Sequence, residues 1–221
     1  MIVLVAGMPR SGSTFSFNIA RDVLLRRGSL HQENAGEVIN PLLRAGGADH
    51  LLLKSHELDD VAICLAAQSA VRVICTIRRP EDAAASWITT FGFTEEQAIS
   101  TIKDWLRLYS RIRKFALTID YETIDKRPVI AAHRIGRFLF RDAGWAEARA
   151  ITRRHAKAKV KHEMDQLERT SEGVVDLNFS WYDAHTFFHR RHVSLLRSRS
   201  AEEILPREQA ERIRAAFVDN F

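Results

Sequence analysis

The chain opens on an apolar run, Ile2-Val3-Leu4-Val5-Ala6, and similar short apolar runs return at about 50 to 54, at 71 to 77 and at 116 to 121. Each run is too short for a buried helix and ends in polar or turn residues. Each therefore predicts a strand buried on both faces, and a weaker strand is predicted near 29 to 33. Between these runs the apolar residues recur at helical spacing over 13 to 27, 58 to 69, 81 to 91, 95 to 114, 128 to 140 and 206 to 218. Pro80, Pro128 and Pro206 suit first helical turns, where the N–H that proline lacks has no partner anyway. Thr94-Glu95-Glu96-Gln97 reads as a capping box that restarts a helix after Gly92. Strands alternating with crossover helices predict an α/β fold, as a single domain over residues 1 to 221 with a central parallel sheet flanked by helices. In such a sheet ligands bind beyond the carboxyl ends of the strands. The residues that follow each strand are thus the first candidates for chemistry.

Composition narrows the picture only a little. With 221 residues, 46% of them hydrophobic, the chain can bury one substantial core. A formal charge of +5 and a pI near 9.5 fit an anionic ligand, and fit a basic surface equally well. No apolar stretch approaches the roughly 18 residues of a membrane span, and the first run lacks the basic flank and cleavage site of a signal peptide. The expectation is a cytoplasmic protein with no membrane partner. The absence of a basic-aromatic recognition pattern argues against a nucleic-acid partner. Cys64 and Cys75 sit in apolar surroundings without a C-x-x-C spacing and read as reduced core residues.

The first strand runs directly into Gly7-Met8-Pro9-Arg10-Ser11-Gly12-Ser13-Thr14. Two spaced glycines at the end of a strand, followed by a helix start, make a phosphate-binding loop in which successive N–H groups converge on an anion. Ser13 stands where a nucleoside-triphosphate enzyme carries its lysine, which argues against ordinary phosphoryl transfer. The positive charge lies in the loop, at Arg10. The run Leu51-Leu52-Leu53 delivers Lys54-Ser55-His56, a cation and an imidazole at a strand end. The run ending at Ile77 delivers Arg78, and the next helix presents Ser86 two turns later. A planar fork of donors with a hydroxyl beside it suits a second phosphate. Glu81 and Asp82 favour the dipole of that helix's first turn.

Taken together these residues resemble the P-loop sulfotransferase family, whose members move a sulfonate group from 3′-phosphoadenosine 5′-phosphosulfate (PAPS). The resemblance covers most of the first 140 residues and is closest to the cytosolic branch. Pro9-Arg10-Ser11-Gly12-Ser13-Thr14-Phe15 resembles the family's loop for the 5′-phosphosulfate, and Arg78 with Ser86 its 3′-phosphate pair. Lys54-Ser55-His56 resembles a Lys-Thr-His segment whose histidine is the catalytic base, and Leu117 to Glu122 resembles a strand-end Tyr-Glu segment. A C-terminal Arg-Lys-Gly segment of that branch is missing, and Arg190-Arg191-His192 stands nearest to it. Arginine in place of the loop's common lysine is also seen in the tyrosylprotein and carbohydrate branches.

The resemblance implies PAPS as co-substrate with no metal, and in-line transfer to an acceptor hydroxyl, or an amine, of a small molecule or carbohydrate. It assigns His56, Arg10 and Lys54 to catalysis, and Arg10, Ser11, Gly12, Ser13, Thr14, Phe15, Arg78, Ser86, Arg190 and Arg191 to the nucleotide. Glu33 and Glu37 stay open as alternative bases, since some branches use a glutamate. A small-molecule kinase or other P-loop phosphotransferase is the competing reading, and the identity of the acceptor is not legible. The basic run from Arg149 to His162 reads as a solvated helix face. His185, His189 and His192 have helical spacing, but no cysteine or carboxylate completes a metal-ligand set.

Overall fold

A computed structural model describes residues 1–176, 181–189 and 199–218. In chain order the elements are β1 (Ile2–Val5), α1 (Ser13–Leu25), β2 (Leu30–Asn34), α2 (Ile39–Arg44), β3 (His50–Lys54), α3 (Asp60–Ala67), β4 (Val71–Ile77), α4 (Pro80–Phe91) and α5 (Glu95–Ile112). There follow β5 (Ala116–Asp120), α6 (Tyr121–Lys126), α7 (Pro128–Leu139), α8 (Trp145–Arg154), α9 (Lys157–Asp165), β6 (Val174–Asp176), β7 (Trp181–Asp183), α10 (Ala201–Ile204) and α11 (Arg207–Ala215).

The predicted sheet is present: five parallel strands in the order β2-β3-β1-β4-β5. Its central strand β1 shows why an unbroken apolar run was needed. Val3 and Val5 face one side, with Phe17, Ile19 and Val23 of α1 and Ile135 of α7. Leu4 and Ala6 face the other, with Ala83 and Ala84 of α4 and Ile102 and Trp105 of α5. With period-2 alternation and helices on both faces, neither set can be polar. Trp105 also donates from Nε1 to the carbonyl of Ala6 at 3.2 Å, so α5 clamps the chain where β1 ends.

Chain order changes direction at β1. The chain leaves it for the edge strand β2, returns through β3, then passes over to β4 on the other side. The carboxyl ends of β3, β1 and β4 therefore open around one crevice. The Thr94 capping box forms as expected, with Gln97 N–H on the Thr94 hydroxyl at 3.2 Å and Thr94 N–H on the Gln97 side chain at 3.0 Å, after Gly92 ends α4 in the left-handed region at φ 73°.

Several expectations need correction. Cys64 is exposed rather than a core residue, whereas Cys75 is buried, which pushes its thiol up to about 12. Pro206 is the N-cap of α11, one position before the first turn. The run from Arg149 to His162 is divided between α8 and α9, and much of its charge is paired: Arg154 with Asp22 at 3.6 Å, Lys159 with Glu163 at 3.9 Å, Lys157 with Asp125 and Lys161 with Asp165. His185 lies in a turn after β7 and not on a helix, and His192 lies outside the described residues. Among the described residues no helix is long and apolar enough to cross a membrane.

Candidate active site

The loop between β1 and α1 is built into the sheet rather than laid over it. Met8 N–H donates to the carbonyl of Thr76 at 2.8 Å and Ser55 N–H to that of Val5 at 3.1 Å, tying the loop to β4 and β3. Gly7 is required by close approach: a Cβ there would lie 2.1 Å from Thr76 Oγ1 and 2.6 Å from Ser13 Cβ. Gly12 caps α1 with φ 87° and brings no side chain to the helix start. The first-turn amides of α1 are thus left to an incoming acceptor of hydrogen bonds, at the positive end of the helix dipole. Ser11 is fully buried, and its hydroxyl faces inward on Thr76 Oγ1 at 2.5 Å and the Met8 carbonyl at 2.6 Å. It is a strut that fixes the loop. Ser13 and Thr14 begin the helix and are buried, and the half-buried Phe15 packs against the core on the α1 face.

Arg10 is the unusual residue of the loop. It holds a positive φ of 63°, a conformation that costs a non-glycine residue strain. Its side chain is aimed at α4: Nε donates to Ser86 Oγ at 3.0 Å, Nη2 points to Thr90 Oγ1 at 3.5 Å, and the guanidinium carbon lies 5.2 Å from the ring centre of Phe91. These hydrogen-bond partners are hydroxyls and not carboxylates. Burial, together with the nearby charge of Arg78, lowers the Arg10 pKa to about 10. Arg78 donates to the carbonyl of Arg199 at 3.0 Å and reaches that of Arg10 at 3.5 Å, with its guanidinium 4.6 Å from the ring centre of Tyr121. The segment carrying Arg199 is held on α4 by Ala201 N–H, which donates to the buried Asp82 carboxylate at 2.8 Å. Asp82 thus does more than favour a helix dipole.

On the other side of the loop, Lys54 is buried at the end of β3, and burial pushes its ammonium down to about 8. His56, two residues on, places Nδ1 2.6 Å from the Gly7 carbonyl. A carbonyl can only accept, so Nδ1 carries the proton and Nε2 keeps its lone pair. Burial and the Lys54 charge push His56 down to about 3, against the opposing effect of the Gly7 bond. Of the alternative bases, Glu33 is held by Nε and Nη2 of Arg44, at 2.9 and 2.7 Å, and by His31 at 2.6 Å. The Arg44 hydrogen bonds foremost, then His31, pull its pKa to about 2, and both of its carboxylate oxygens are occupied by these partners. Glu37 accepts from Asn40 N–H at 3.1 Å, at the start of α2.

The structure thus brings together Arg10, Ser11, Gly12, Ser13, Thr14, Lys54, His56, Arg78 and Ser86 around the loop, while Arg190 and Arg191 lie outside the described residues. Sequence reasoning gave no role to Thr76 or Thr90, and noted Tyr121 only within the Leu117 to Glu122 segment. Thr76 is the one hydroxyl in the apolar strand before Arg78, and Thr90 lies one helical turn after Ser86. Both positions were visible, but neither contact was. Among the described residues no group of three or more His, Cys, Asp or Glu is placed to hold a metal ion.

No protein-family model matches the sequence, and no curated protein matches it. Solved structures do match by fold. The mouse sulfotransferase SULT7A1 complexed with PAP, the 3′,5′-bisphosphate of adenosine, aligns with a TM-score of 0.64 at 15% identity, over 99% of this chain and 83% of that one. Retinol dehydratase complexed with androsterone and PAP aligns at 0.64 and 12% identity, and its complex with retinol and PAP at 0.63 and 12%, each over 99% of this chain and 80% of the other. Across nearly its whole length, this chain shares the fold of these three PAP-bound structures.

Proposed function

We propose that the protein transfers a sulfonate group from PAPS to a hydroxyl of a small-molecule acceptor, with His56 as general base. The observation that carries the reading is the His56 Nδ1 bond to the Gly7 carbonyl, which aims an unprotonated Nε2 from the rim of an anion-binding loop. The fold shared with three PAP-bound structures supports it.

The residues present fit such a donor. Lys54 is a buried cation whose pKa falls through burial alone, and the hydrogen-bond partners of Arg10 are uncharged. Buried cations of this kind are costly until an anion arrives. The amides at the start of α1 and Lys54 hold the phosphosulfate, and Arg78 with Ser86 takes the 3′-phosphate. The acceptor oxygen attacks sulfur as the bond from sulfur to the 5′-phosphate oxygen breaks; PAP leaves with that electron pair, and His56 Nε2 receives the acceptor's proton. Loop donors and Lys54 facing the leaving oxygen supply stabilisation that needs no reorganisation during the reaction. Trp87, Phe91 and Phe93 form an aromatic cluster next to Arg10, with Trp87 and Phe93 ring centres 4.3 Å apart. That cluster favours an acceptor with an apolar body over a carbohydrate.

Calorimetric titration with PAP, beside ATP with and without magnesium, tests the donor site, and PAP release from PAPS over a panel of hydroxyl acceptors tests the reaction. Micromolar, magnesium-independent PAP binding is expected. A preference for magnesium-ATP overturns the reading in favour of a phosphotransferase.

A further inference from the structure

We infer that the outer face of the α7–α8 helix pair is a docking surface for a carboxylate-bearing segment of a partner protein, with Trp145 as its anchor. The face uses none of the residues assigned to PAPS and is independent of that reading. Burial fixes which sides of the two helices point inward: Ala131, Ile135 and Leu139 of α7, and Ala148 and Ile151 of α8. Trp145, Arg149 and Arg153 then fall at i, i+4 and i+8 on one flank of α8, and all three are exposed. Gly136 packs closely on Ala143, where a Cβ would meet the alanine methyl at 3.0 Å, so the turn between the helices is tight. His133 of α7 consequently lies flat on the Trp145 ring, with centroids 3.7 Å apart and planes within 2°. Arg137, one turn after His133, is exposed as well.

Two features set this face apart from the rest of the surface. Trp145, 45% exposed, is the one aromatic among the large hydrophobic side chains that the described residues expose. Its imidazole-covered side is rigid and its remaining surface is open. Second, the arginines around it lack a counter-charge. Other exposed arginines are paired within the chain, as Arg111 is with Asp60, Arg207 with Glu211 and Arg212 with Glu95. Among the described residues Arg137, Arg149 and Arg153 make no ion pair or hydrogen bond. The neighbouring carboxylates, Asp142 and Glu147, are turned to Arg27, at 3.7 and 2.7 Å. Neutralisation of the three guanidinium groups therefore has to come from outside the chain. Their planar forks match carboxylates, two N–H groups to two oxygens, and tryptophan and arginine are the side chains that carry binding energy at protein interfaces. A bilayer suits the face less, because Trp145 is the only large apolar residue that α7 or α8 exposes. Duplex phosphates suit it less too, since three cations gathered around roughly 15 Å of helix form a cluster and not a long basic track.

The test is fluorescence anisotropy of a labelled oligoglutamate peptide titrated with the full chain, with labelled duplex DNA and phosphatidylserine vesicles as comparison probes. Micromolar peptide binding is expected. Arg137→Ala combined with Arg149→Ala should weaken it about tenfold or more, and Trp145→Ala about fivefold, with the far-UV circular dichroism spectrum unchanged. Either variant suffices if the other fails to fold. Arg113→Ala combined with Lys114→Ala removes two exposed cations at the end of α5, away from Trp145, and should leave peptide affinity within about twofold. Equal losses in the two double variants would reduce the effect to net charge and overturn the inference. So would absence of peptide binding by the wild-type chain. Tighter binding of DNA or vesicles, lost in the Arg137 and Arg149 variant, would overturn the protein partner in favour of a nucleic acid or an anionic membrane.

Discussion

His56 and Gly7 are joined across the candidate site by one hydrogen bond, 2.6 Å from the imidazole Nδ1 to the glycine carbonyl, so the residue that opens the β1–α1 loop also sets the tautomer of the proposed base. The carbonyl is available because Gly7 packs without a side chain against Thr76 and Ser13. The loop that would hold the donor and the group that would take the acceptor's proton are thus one rigid unit.

Replacing His56 with alanine is expected to lower kcat by about 10²- to 10⁴-fold while PAP affinity changes less than about threefold. Full turnover in His56→Ala would remove the base from the proposal. With its pKa near 3 in the free protein, His56 is already neutral at pH 5, so kcat/KM should show no inflection near 6.5. A bound donor anion offsets the Lys54 charge and raises this pKa, so the acid limb of kcat should lie at higher pH than that of kcat/KM. Paired pH profiles measure the difference.

Lys54 titrates near 8 when folded, against an ordinary value of 10.5. Between those values the unfolded chain binds more protons than the folded one, so the Lys54 contribution to stability rises with pH across that window. An arriving anion restores the ammonium. Binding of PAP at pH 8.5 should therefore take up a fraction of a proton, on the order of 0.5, read from titrations in buffers of different ionisation enthalpy. Lys54→Met should abolish the uptake, weaken PAP binding and raise the melting temperature of the free protein.

Gly7→Ala is expected to destabilise the protein by about 3 kcal/mol, since a methyl group 2.1 Å from Thr76 Oγ1 must push β4 and the loop apart. Urea unfolding measures the loss. A loss below about 0.5 kcal/mol would mean that the loop is not seated on β4 as described.

Asp22 of α1 meets His155 at 3.1 Å and Arg154 at 3.6 Å, fastening α8 to the helix that begins at the loop. Burial opposes its ionisation, but the His155 hydrogen bond and the charges of His155, Arg21 and Arg154 outweigh it and hold the carboxyl below its ordinary 3.8. The contribution is therefore present above that value and is lost as pH falls through the lower folded one. Asp22→Ala should cost about 2 kcal/mol at pH 7 and progressively less below pH 4, as read by denaturant titration at each pH.

How much of this was legible in the sequence differs by element. β3 and β4 fall on the predicted residues and β1 and β5 lie within one residue of them, because each apolar run is bounded by turn or charged residues; β1 and β3 are buried along nearly their whole length, while Arg72 of β4 and Asp120 of the edge strand β5 are exposed. Helices α4, α5 and α7 likewise carry their own boundary signals in Pro80, Thr94, Gly92 and Pro128. The short α2, α6 and α10 went unread, since four to six residues are too few to show a helical period. Strand-end positions were enough to nominate Arg10, Lys54, His56 and Arg78, because in a parallel sheet the carboxyl ends gather on one edge, whereas Ser86, inside α4, was nominated by its spacing from Arg78 and by the companion motifs.

By itself, then, the sequence determined the α/β class, the phosphate loop and the residues that border it, all of which follow from local periodicity and from glycines and charges at strand ends. Only the tertiary structure decided that Arg10 turns to Ser86 and Thr90, 76 and 80 residues away, that His56 is fixed by Gly7, and that Glu33 is spent on Arg44. The first two pairings depend on strand order and on a backbone dihedral angle and the third on how α2 folds back against the end of β2, and residues joined through space leave no periodic mark along the chain.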